Sequence, residues 1–448
     1  MHLKNKNIAI VGGGLVGSLL STYLSRQGAI VSVFDKRSDI RLNSNSAGRS
    51  IKLALSNRGL NALSEIGVSQ SVLKIAMPMF KRIMHSIDGD LTEQQYGKKS
   101  EAIYSVSRHL LNAKLMTIAE NNSVKFFFKK ECISIDILSN TLFFSDDSNE
   151  KYDFIFGADG TGSVIRKQMS QSSKSINSKV KFISSSYKEL TIPANSDGTH
   201  KIDDKALHIW PRKSFMVIAL PNLDGTFTCT LFAPNKGSNS FESINTTQDL
   251  DSFFYKSFKD LKSLIPNLSE QYFSNPTSPL GFVRCSSWKD HNTILIGDAC
   301  HATVPFYGQG MNSGFEDCFL LNKWLDDNQD LGHPDIDLFL QQRIVDTTAM
   351  QDLSMDNFIE MRDKTANPNF LLQKRIEEWF SNKYPQKWIP LYSMVTFSDI
   401  RYSEALKRGK IQNKIMFDIM RTNNLNNVFS IEELENKNIE QKILDYIN

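Results

Sequence analysis

Only five cysteines occur in 448 residues: Cys132, Cys229, Cys285, Cys300 and Cys318. Their number is odd and none forms a C-x-x-C pair, which argues against a disulfide framework and for a reducing, intracellular setting. Neither His85 nor His301 has another His or Cys at ligand spacing, so no metal site is expected. No apolar run reaches the roughly 18–20 residues that cross a bilayer. The formal net charge of +3 is small, and no stripe of Lys and Arg interleaved with aromatics occurs, which argues against nucleic acid. Internal repeats and low-complexity linkers are also missing. Residues 1–7 are polar and run straight into a strand, so no signal or transit peptide is expected. Residues 410–448 alternate apolar and charged and read as surface helices. What remains is a soluble, cytoplasmic, globular chain, 40% apolar, of two or three units, expected as a monomer or homodimer.

The first forty residues carry the clearest pattern. Ile8-Ala9-Ile10-Val11 reads as a strand buried on both faces. It feeds Gly12-Gly13-Gly14-Leu15-Val16-Gly17, then a helical pattern (Leu15, Leu19, Leu20, Tyr23, Leu24) that closes at Gly28, then a second strand from Ile30 that ends at Asp35. Gly12 allows a tight turn, Gly14 lets a pyrophosphate approach backbone N–H groups, and Gly17 lets helix and strand pack closely. The helix N-terminus offers unpaired donors and partial positive charge to phosphates. Asp35 can accept hydrogen bonds from an adenosine ribose, which disfavours the 2′-phosphate of NADP; Lys36 and Arg37 weaken that argument without cancelling it. The plain alternative is a glycine-rich turn in an ordinary βαβ unit. On this segment alone the ligand is FAD or NAD.

Two later turns point to FAD. Residues 152–156 form an apolar strand followed by Gly157-Ala158-Asp159-Gly160-Thr161-Gly162-Ser163 and Arg166. Residues 293–296 form another, ending in Gly297-Asp298, then Ala299-Cys300-His301-Ala302, the loop Pro305-Phe306-Tyr307-Gly308-Gln309-Gly310 and a helix opening at Met311-Asn312. An extended flavin needs a strand-end acid (Asp298) for its ribityl and phosphate groups. Its pyrimidine edge is anionic when reduced and suits the positive end of the helix that begins near Gly310. Gly308 and Gly310 permit close backbone approach to the ring. Taken singly, each glycine–aspartate pair is a common turn.

Together the three segments, in this order over at least residues 5–320, resemble the class A flavoprotein aromatic hydroxylases. The resemblance implies a Rossmann-like α/β FAD-binding domain, an inserted mixed β-sheet substrate domain and a C-terminal helical segment. It implies bound FAD, with NADPH and dioxygen as co-substrates, and a middle segment that also touches NADPH; accordingly no second G-x-G-x-x-G opens a βαβ unit. The cofactor-contacting set it implies is Gly12, Gly14, Leu15, Val16, Gly17, Asp35, Lys36, Arg37, Ala54, Arg108, Cys132, Asp159, Asp298, Gly308, Gly310, Met311 and Asn312. A finer likeness, to the kynurenine-hydroxylating branch, is carried by Gly48-Arg49-Ser50-Ile51, Leu53-Ala54-Leu55-Ser56, Pro78-Met79, Arg82, His85-Ser86, Tyr96-Gly97 and Tyr104-Ser105-Val106-Ser107-Arg108. It continues through Leu207-His208-Ile209-Trp210-Pro211-Arg212, residues 227–232, 352–355 and 357–362, Ile389-Pro390-Leu391-Tyr392 and residues 394–397. It implies L-kynurenine as substrate, with Arg82, Tyr96, Asn357 and Tyr392 as a clamp on the amino-acid carboxylate. A carboxylate wants a forked cation and hydroxyl donors, which these residue types supply. Phe232, Phe306 and Tyr307 are the candidate apolar walls for the ring.

Blandly read, Arg82 is a surface arginine, the tyrosines are half-buried core residues, Asn357 caps a turn and the phenylalanines are ordinary core. No side chain stands out as a nucleophile or general base; the cofactor carries the chemistry and the protein orients, dries and gates the site. The expected organisation is a discontinuous FAD domain (1–70, 100–180, 280–345), a substrate sheet (71–99, 181–279) read as alternating strands, and a helical region (346–448). Rival readings are a hydroxylase of another aromatic acid and a non-catalytic FAD-binding interaction protein. A halogenase is disfavoured, because no W-x-W-x-I-P segment occurs.

Overall fold

The computed structural model describes residues 3–42, 52–97, 100–172, 176–328, 330–361, 368–422, 425 and 438–447. Residues 48–51 and Arg362, quoted above for the resemblance, lie outside the described residues. Strand Asn7–Val11, whose Ile8, Ala9 and Ile10 are fully buried, occupies the middle of a six-stranded sheet. It pairs in parallel with Ile30–Asp35 on one side and Phe154–Gly157 on the other. Thr293–Leu295 continues the sheet in parallel beyond Phe154–Gly157, and Lys125–Phe128 does so beyond Ile30–Asp35. Only the edge pair Lys289–Asp290 with Thr293–Leu295 is antiparallel. In a parallel sheet the carboxyl ends of the strands share one edge. The turns after Val11, Gly157 and Leu295 therefore open on the same side.

A second sheet of seven strands runs in the order Thr277–Cys285, Ser178–Ile192, Phe227–Pro234, Phe215–Pro221, Ala206–Arg212, Lys81–His85, Leu91–Gln95. One pairing, Ala206–Arg212 with Lys81–His85, is parallel and the rest are antiparallel, so the sheet is mixed. Side chains alternate between its faces. Leu207 and Ile209 join one apolar cluster with Met84 and Ile218, while Trp210 joins another on the far face. That far face corrects the expectation of alternating strands over 181–279. Residues Thr247–Ser257, Lys259–Leu264 and Leu268–Ser274 are helical. Thr246 and Asp249 form a capping box at the first of them, and Leu250, Phe253, Phe254 and Leu261 recur at helical spacing and bury against Trp210 and Val217.

A histidine pair lies under these helices. His208 Nε2 bonds to the Asp203 carbonyl at 2.8 Å, and a carbonyl only accepts, so this nitrogen carries the proton. His208 Nδ1 must then accept from His85 Nε2 at 2.9 Å, while His85 Nδ1 faces the Asp260 carboxylate at 2.9 Å. Burial pushes the pKa of His208 down to about 4. The unfolded chain, with an ordinary histidine near 6.5, takes up this proton first as pH falls. Stability tied to His208 is therefore present above pH ~6.5 and lost as pH drops towards ~4, by roughly 3 kcal/mol at the lower end. We expect His208→Gln to flatten the pH dependence of the urea midpoint in that window; an unchanged slope would show that His208 is not the group titrating.

The chain closes with helices Ile336–Ile359, Pro368–Lys383, Leu391–Thr396, Tyr402–Thr422 and Ile439–Ile447. The last two are not mere surface helices, as their alternating pattern suggested. Ile415, Met416, Ile419, Ile439 and Ile443 bury together with Ile376, Phe380 and Trp388, so their charged faces cover an apolar seam. Among the described residues no helix is long and apolar enough to cross a membrane. All five cysteines are free and buried.

Candidate active site

The three glycine-bearing turns touch one another. Gly12 has φ +110°, and a Cβ there would lie 2.6 Å from the Ala158 carbonyl carbon and 2.9 Å from Asp159 Cα. A Cβ on Gly17 would strike the Gly12 carbonyl oxygen, so the helix rests directly on the turn. Val16 reaches the third segment: a Cβ on Gly297 would meet its side chain at 3.0 Å, and one on Gly314 at 2.6 Å. Leu15 is buried beneath the same turn. A Cβ on Gly14, by contrast, would meet nothing within 4 Å. The chain there faces open space, as a backbone that receives a pyrophosphate must.

The acids differ in state. Asp35 already accepts four donors: Gly13 N at 3.0 Å, and Arg37 N, Nε and Nη2 at 2.9, 3.0 and 2.7 Å. Against the effect of burial, the Arg37 hydrogen bonds hold its carboxyl below the usual range. With its lone pairs occupied, Asp35 meets a ribose only if Arg37 yields, and the Arg37 side chain is 55% exposed. Asp159 Oδ2 accepts from Val164 N at 2.7 Å, while its Oδ1 is buried with no partner; burial raises its pKa. Asp298 is exposed at the start of helix Asp298–His301, after Gly297 at φ +62°. Lys36 points towards Glu131 at 3.9 Å. Arg108 is exposed at the start of helix Arg108–Asn121. Cys132 is buried, its thiol donates to the Ser134 carbonyl, and burial pushes its pKa up to about 12, which leaves it an unreactive thiol.

On the ring side, turn Pro305–Tyr307 ends at Gly308 with φ +66°, and helix Gly310–Asn328 follows. Its first backbone amides have no carbonyl partner within the helix and aim their positive end at this turn. Asn312, fully buried, accepts from Ser56 N at 2.9 Å and donates to the carbonyls of Ala54 and Gly308, both at 2.8 Å. It thereby fastens strand Lys52–Leu55 to the turn, and Met311 packs beside it, partly buried. A Cβ on Gly310 would find only Thr303 at 3.6 Å, an ordinary contact, so the protein's own packing does not demand glycine there. Ser105, which pairs with Ala54, and Thr303 and Ser313 hold buried hydroxyls without partners. Open space at Gly14, orphaned polar atoms at Asp159, Ser105 and Ser313, and a helix N-terminus at the far end together fit an extended dinucleotide with an anionic ring.

Ala54 connects this surface to the candidate clamp, because it shares an apolar cluster with Met79, Tyr96, Leu207, Ile218 and Tyr392. Strand Lys81–His85 sets Arg82 beside Leu207. Its guanidinium carbon lies 5.2 Å from the Tyr392 ring centroid and 5.8 Å from that of Tyr96. The rings of Tyr96 and Tyr392 stack at 5.2 Å, and those of Tyr307 and Tyr392 at 5.6 Å. Arg82 Nε and the Tyr96 hydroxyl are buried without hydrogen-bond partners, and among the described residues no carboxylate pairs with Arg82. Burial raises the pKa of Tyr96, Tyr307 and Tyr392, which keeps their hydroxyls protonated as donors. Phe232 and Phe306 meet at 4.9 Å, and Phe306 stacks on Phe358 at 4.1 Å.

One expected role changes. Asn357 Nδ2 donates to the Phe306 carbonyl at 2.7 Å, so its amide N–H braces the wall and is not offered to a carboxylate. Its oxygen is the group it can turn to a ligand. Leu207, Ile218 and Phe358 also belong to the walls; no ligand role is expected of them from sequence, since an apolar residue on an alternating strand or a helix reads as core.

Comparison with known proteins agrees with this geometry. Residues 5–327 match the FAD binding domain family. The chain is 48% identical over 439 residues to kynurenine 3-monooxygenase of Flavobacterium johnsoniae, spanning 97% of this chain and 98% of that one. It is 41% identical over 425 residues to the enzyme of the same name from Myxococcus xanthus, spanning 93% and 91%. The chain belongs to the kynurenine 3-monooxygenase family. It is a flavin-dependent monooxygenase with FAD as cofactor and, as is usual for that class, NADPH and dioxygen as co-substrates. The fold is shared with 2-methyl-3-hydroxypyridine-5-carboxylic acid oxygenase, at TM-score 0.66 and 20% identity over 82% of this chain and 95% of that one. A tetracycline destructase shares it too, at TM-score 0.63 and 17% identity over 84% and 95%.

Proposed function

We propose that the chain hydroxylates L-kynurenine to 3-hydroxy-L-kynurenine, with Arg82, Tyr96 and Tyr392 gripping the amino-acid carboxylate and Phe232, Phe306 and Tyr307 walling the aminophenyl ring. The observation that carries this reading is a guanidinium with a buried, unpaired Nε beside two stacked tyrosines. A half-buried guanidinium whose Nε has no acceptor leaves a donor unsatisfied, and a ligand carboxylate supplies the missing acceptor and countercharge. The bound flavin, reduced by NADPH, supplies the transfer of one atom of dioxygen to the ring. The protein's part is to orient and to exclude water. Phenols held protonated donate to the carboxylate, and the amide oxygen of Asn357, whose N–H is held by the Phe306 carbonyl, is left to accept from the ammonium group. The aromatic walls orient the ring and keep the reacting carbon dry. The aniline nitrogen of the substrate activates its ortho carbon, so no protein base is required. Gly14, Asp159, Asp298 and the amides that open helix Gly310–Asn328 would hold the FAD.

Mass spectrometry of products formed from kynurenine, NADPH and isotopically labelled dioxygen tests this. One labelled oxygen on the ring is expected. Turnover with hydroxybenzoates or other aromatic acids, and none with kynurenine, would assign the pocket to a different acid; a yellow protein that never oxidises NADPH would remove the enzymatic reading.

A further inference from the structure

Arg58 and Tyr402 are buried at 2% and 0% exposure, and neither is a wall of the pocket. The Arg58 guanidinium carbon sits 4.0 Å from the Tyr402 ring centroid. It donates to the carbonyls of Val395 at 3.0 Å, Met394 at 3.5 Å and Ile400, and to the Glu316 carboxylate. Met394 and Val395 lie on helix Leu391–Thr396, which carries Tyr392. Glu316 lies on helix Gly310–Asn328 and is also held by Arg343 at 3.0 Å. The Tyr402 hydroxyl donates to Gln309 Oε1 at 2.9 Å. Gln309, 1% exposed, stands between Gly308 and Gly310 in the flavin-side turn. Burial raises the Tyr402 pKa, so the phenol remains a donor. One cation and one phenol, packed face to face, therefore hold both the helix that presents a clamp tyrosine and the turn that meets the ring.

We propose that Arg58 and Tyr402 are positioning residues that lock the Tyr392 helix and the 305–310 turn into one register, so that clamp and flavin-side backbone shift together. Sequence alone assigns them no such role, and the idea rests on the reading of Tyr392 and of the turn given above. Without the Tyr402 hydroxyl, the buried Gln309 oxygen loses its donor and the turn loosens. Without Arg58, the carbonyls of Val395 and Ile400 lose their side-chain donor, and Met394 keeps only the Ser398 hydroxyl at 2.6 Å. A loosened turn leaves the reduced cofactor less well aligned with the ring, and the two electrons of NADPH then reduce dioxygen to hydrogen peroxide instead of yielding hydroxylated product and water.

The test uses the full-length, FAD-loaded protein with Tyr402→Phe, Arg58→Met and Arg58→Lys. For Tyr402→Phe, amide hydrogen exchange over residues 305–312 should accelerate about fivefold or more, with FAD content unchanged. In the same variant, product per NADPH should fall to about half or less, the balance appearing as peroxide. Arg58→Met should accelerate exchange over residues 391–396 and raise the kynurenine dissociation constant about tenfold, with partial rescue by Arg58→Lys. Exchange over 305–312 that matches wild type in Tyr402→Phe, or that rises evenly along the whole chain, overturns the proposal. Should Arg58→Met fail to fold, Tyr402→Phe decides alone. Exchange is read without kynurenine: a protein that shows the local response yet never hydroxylates kynurenine sinks the functional reading and leaves this one standing.

Discussion

Gly12→Ala should purify without flavin. At φ +110° an L side chain is strained, and its Cβ would press on the Ala158 carbonyl carbon at 2.6 Å and on Asp159 Cα at 2.9 Å. Both contacts are backbone, held by the hydrogen bond from Ala158 N to the Val11 carbonyl at 2.8 Å, so no flexible side chain can give way. Strain and overpacking together amount to roughly 4 kcal/mol. That energy is relieved only by parting the first and second turns, and these are the two that must receive one dinucleotide. The absorbance ratio of flavin to protein and the unfolding temperature check this together. Loss of both flavin and stability is expected; a yellow, fully stable Gly12→Ala protein would mean that the two turns need not meet. Gly14→Ala separates the contributions. Its Cβ enters open space, so it should leave the apoprotein's stability nearly unchanged while weakening FAD.

Arg82→Met should have the opposite balance of effects. In the free protein, Arg82 Nε is buried and unpaired, so an apolar side chain of similar length should leave the melting temperature equal or higher. Kynurenine affinity should fall by about 3 kcal/mol, on the order of a hundredfold in dissociation constant. The loss arises because the ligand carboxylate would enter a dry site with phenols but no cation. Arg82→Lys should recover only part, since an ammonium cannot match the forked geometry. Titration of the flavin absorbance with kynurenine, beside a thermal melt, reads both quantities. A variant that binds kynurenine normally, or that melts far below wild type, would place Arg82 in the scaffold and not in the clamp.

Much of this site was readable from local pattern, for a physical reason. A phosphate-binding turn needs glycines at fixed offsets between a buried strand and a helix, and Gly12, Gly14 and Gly17 meet that need within six residues. Strand-end acids are equally local, as Asp35, Asp159 and Asp298 show. Other features depend on partners far along the chain. The segment 247–274 reads as strands because Phe253, Phe254 and Leu261 are equally consistent with them until the far face of the sheet supplies what these residues cover. Asn357 reads as part of a carboxylate clamp because nothing nearby in sequence reveals that its amide meets the Phe306 carbonyl. Three of the four donors that fill Asp35 come from Arg37, two residues on, which reads as a phosphate partner. Arg58 and Tyr402 gave no signal, since a buried cation is recognised only by the carbonyls and ring that surround it, here separated by more than three hundred residues. Residues 48–51, which also resemble the family, lie outside the described structure.

Comparing L-kynurenine with its decarboxylated amine, by flavin-absorbance titration of wild type and Arg82→Met, probes the pocket most directly. If a single guanidinium beside the flavin reads the amino-acid end, wild type should prefer kynurenine by about a hundredfold and the variant should show almost no preference. An equal preference in both proteins would contradict that assignment.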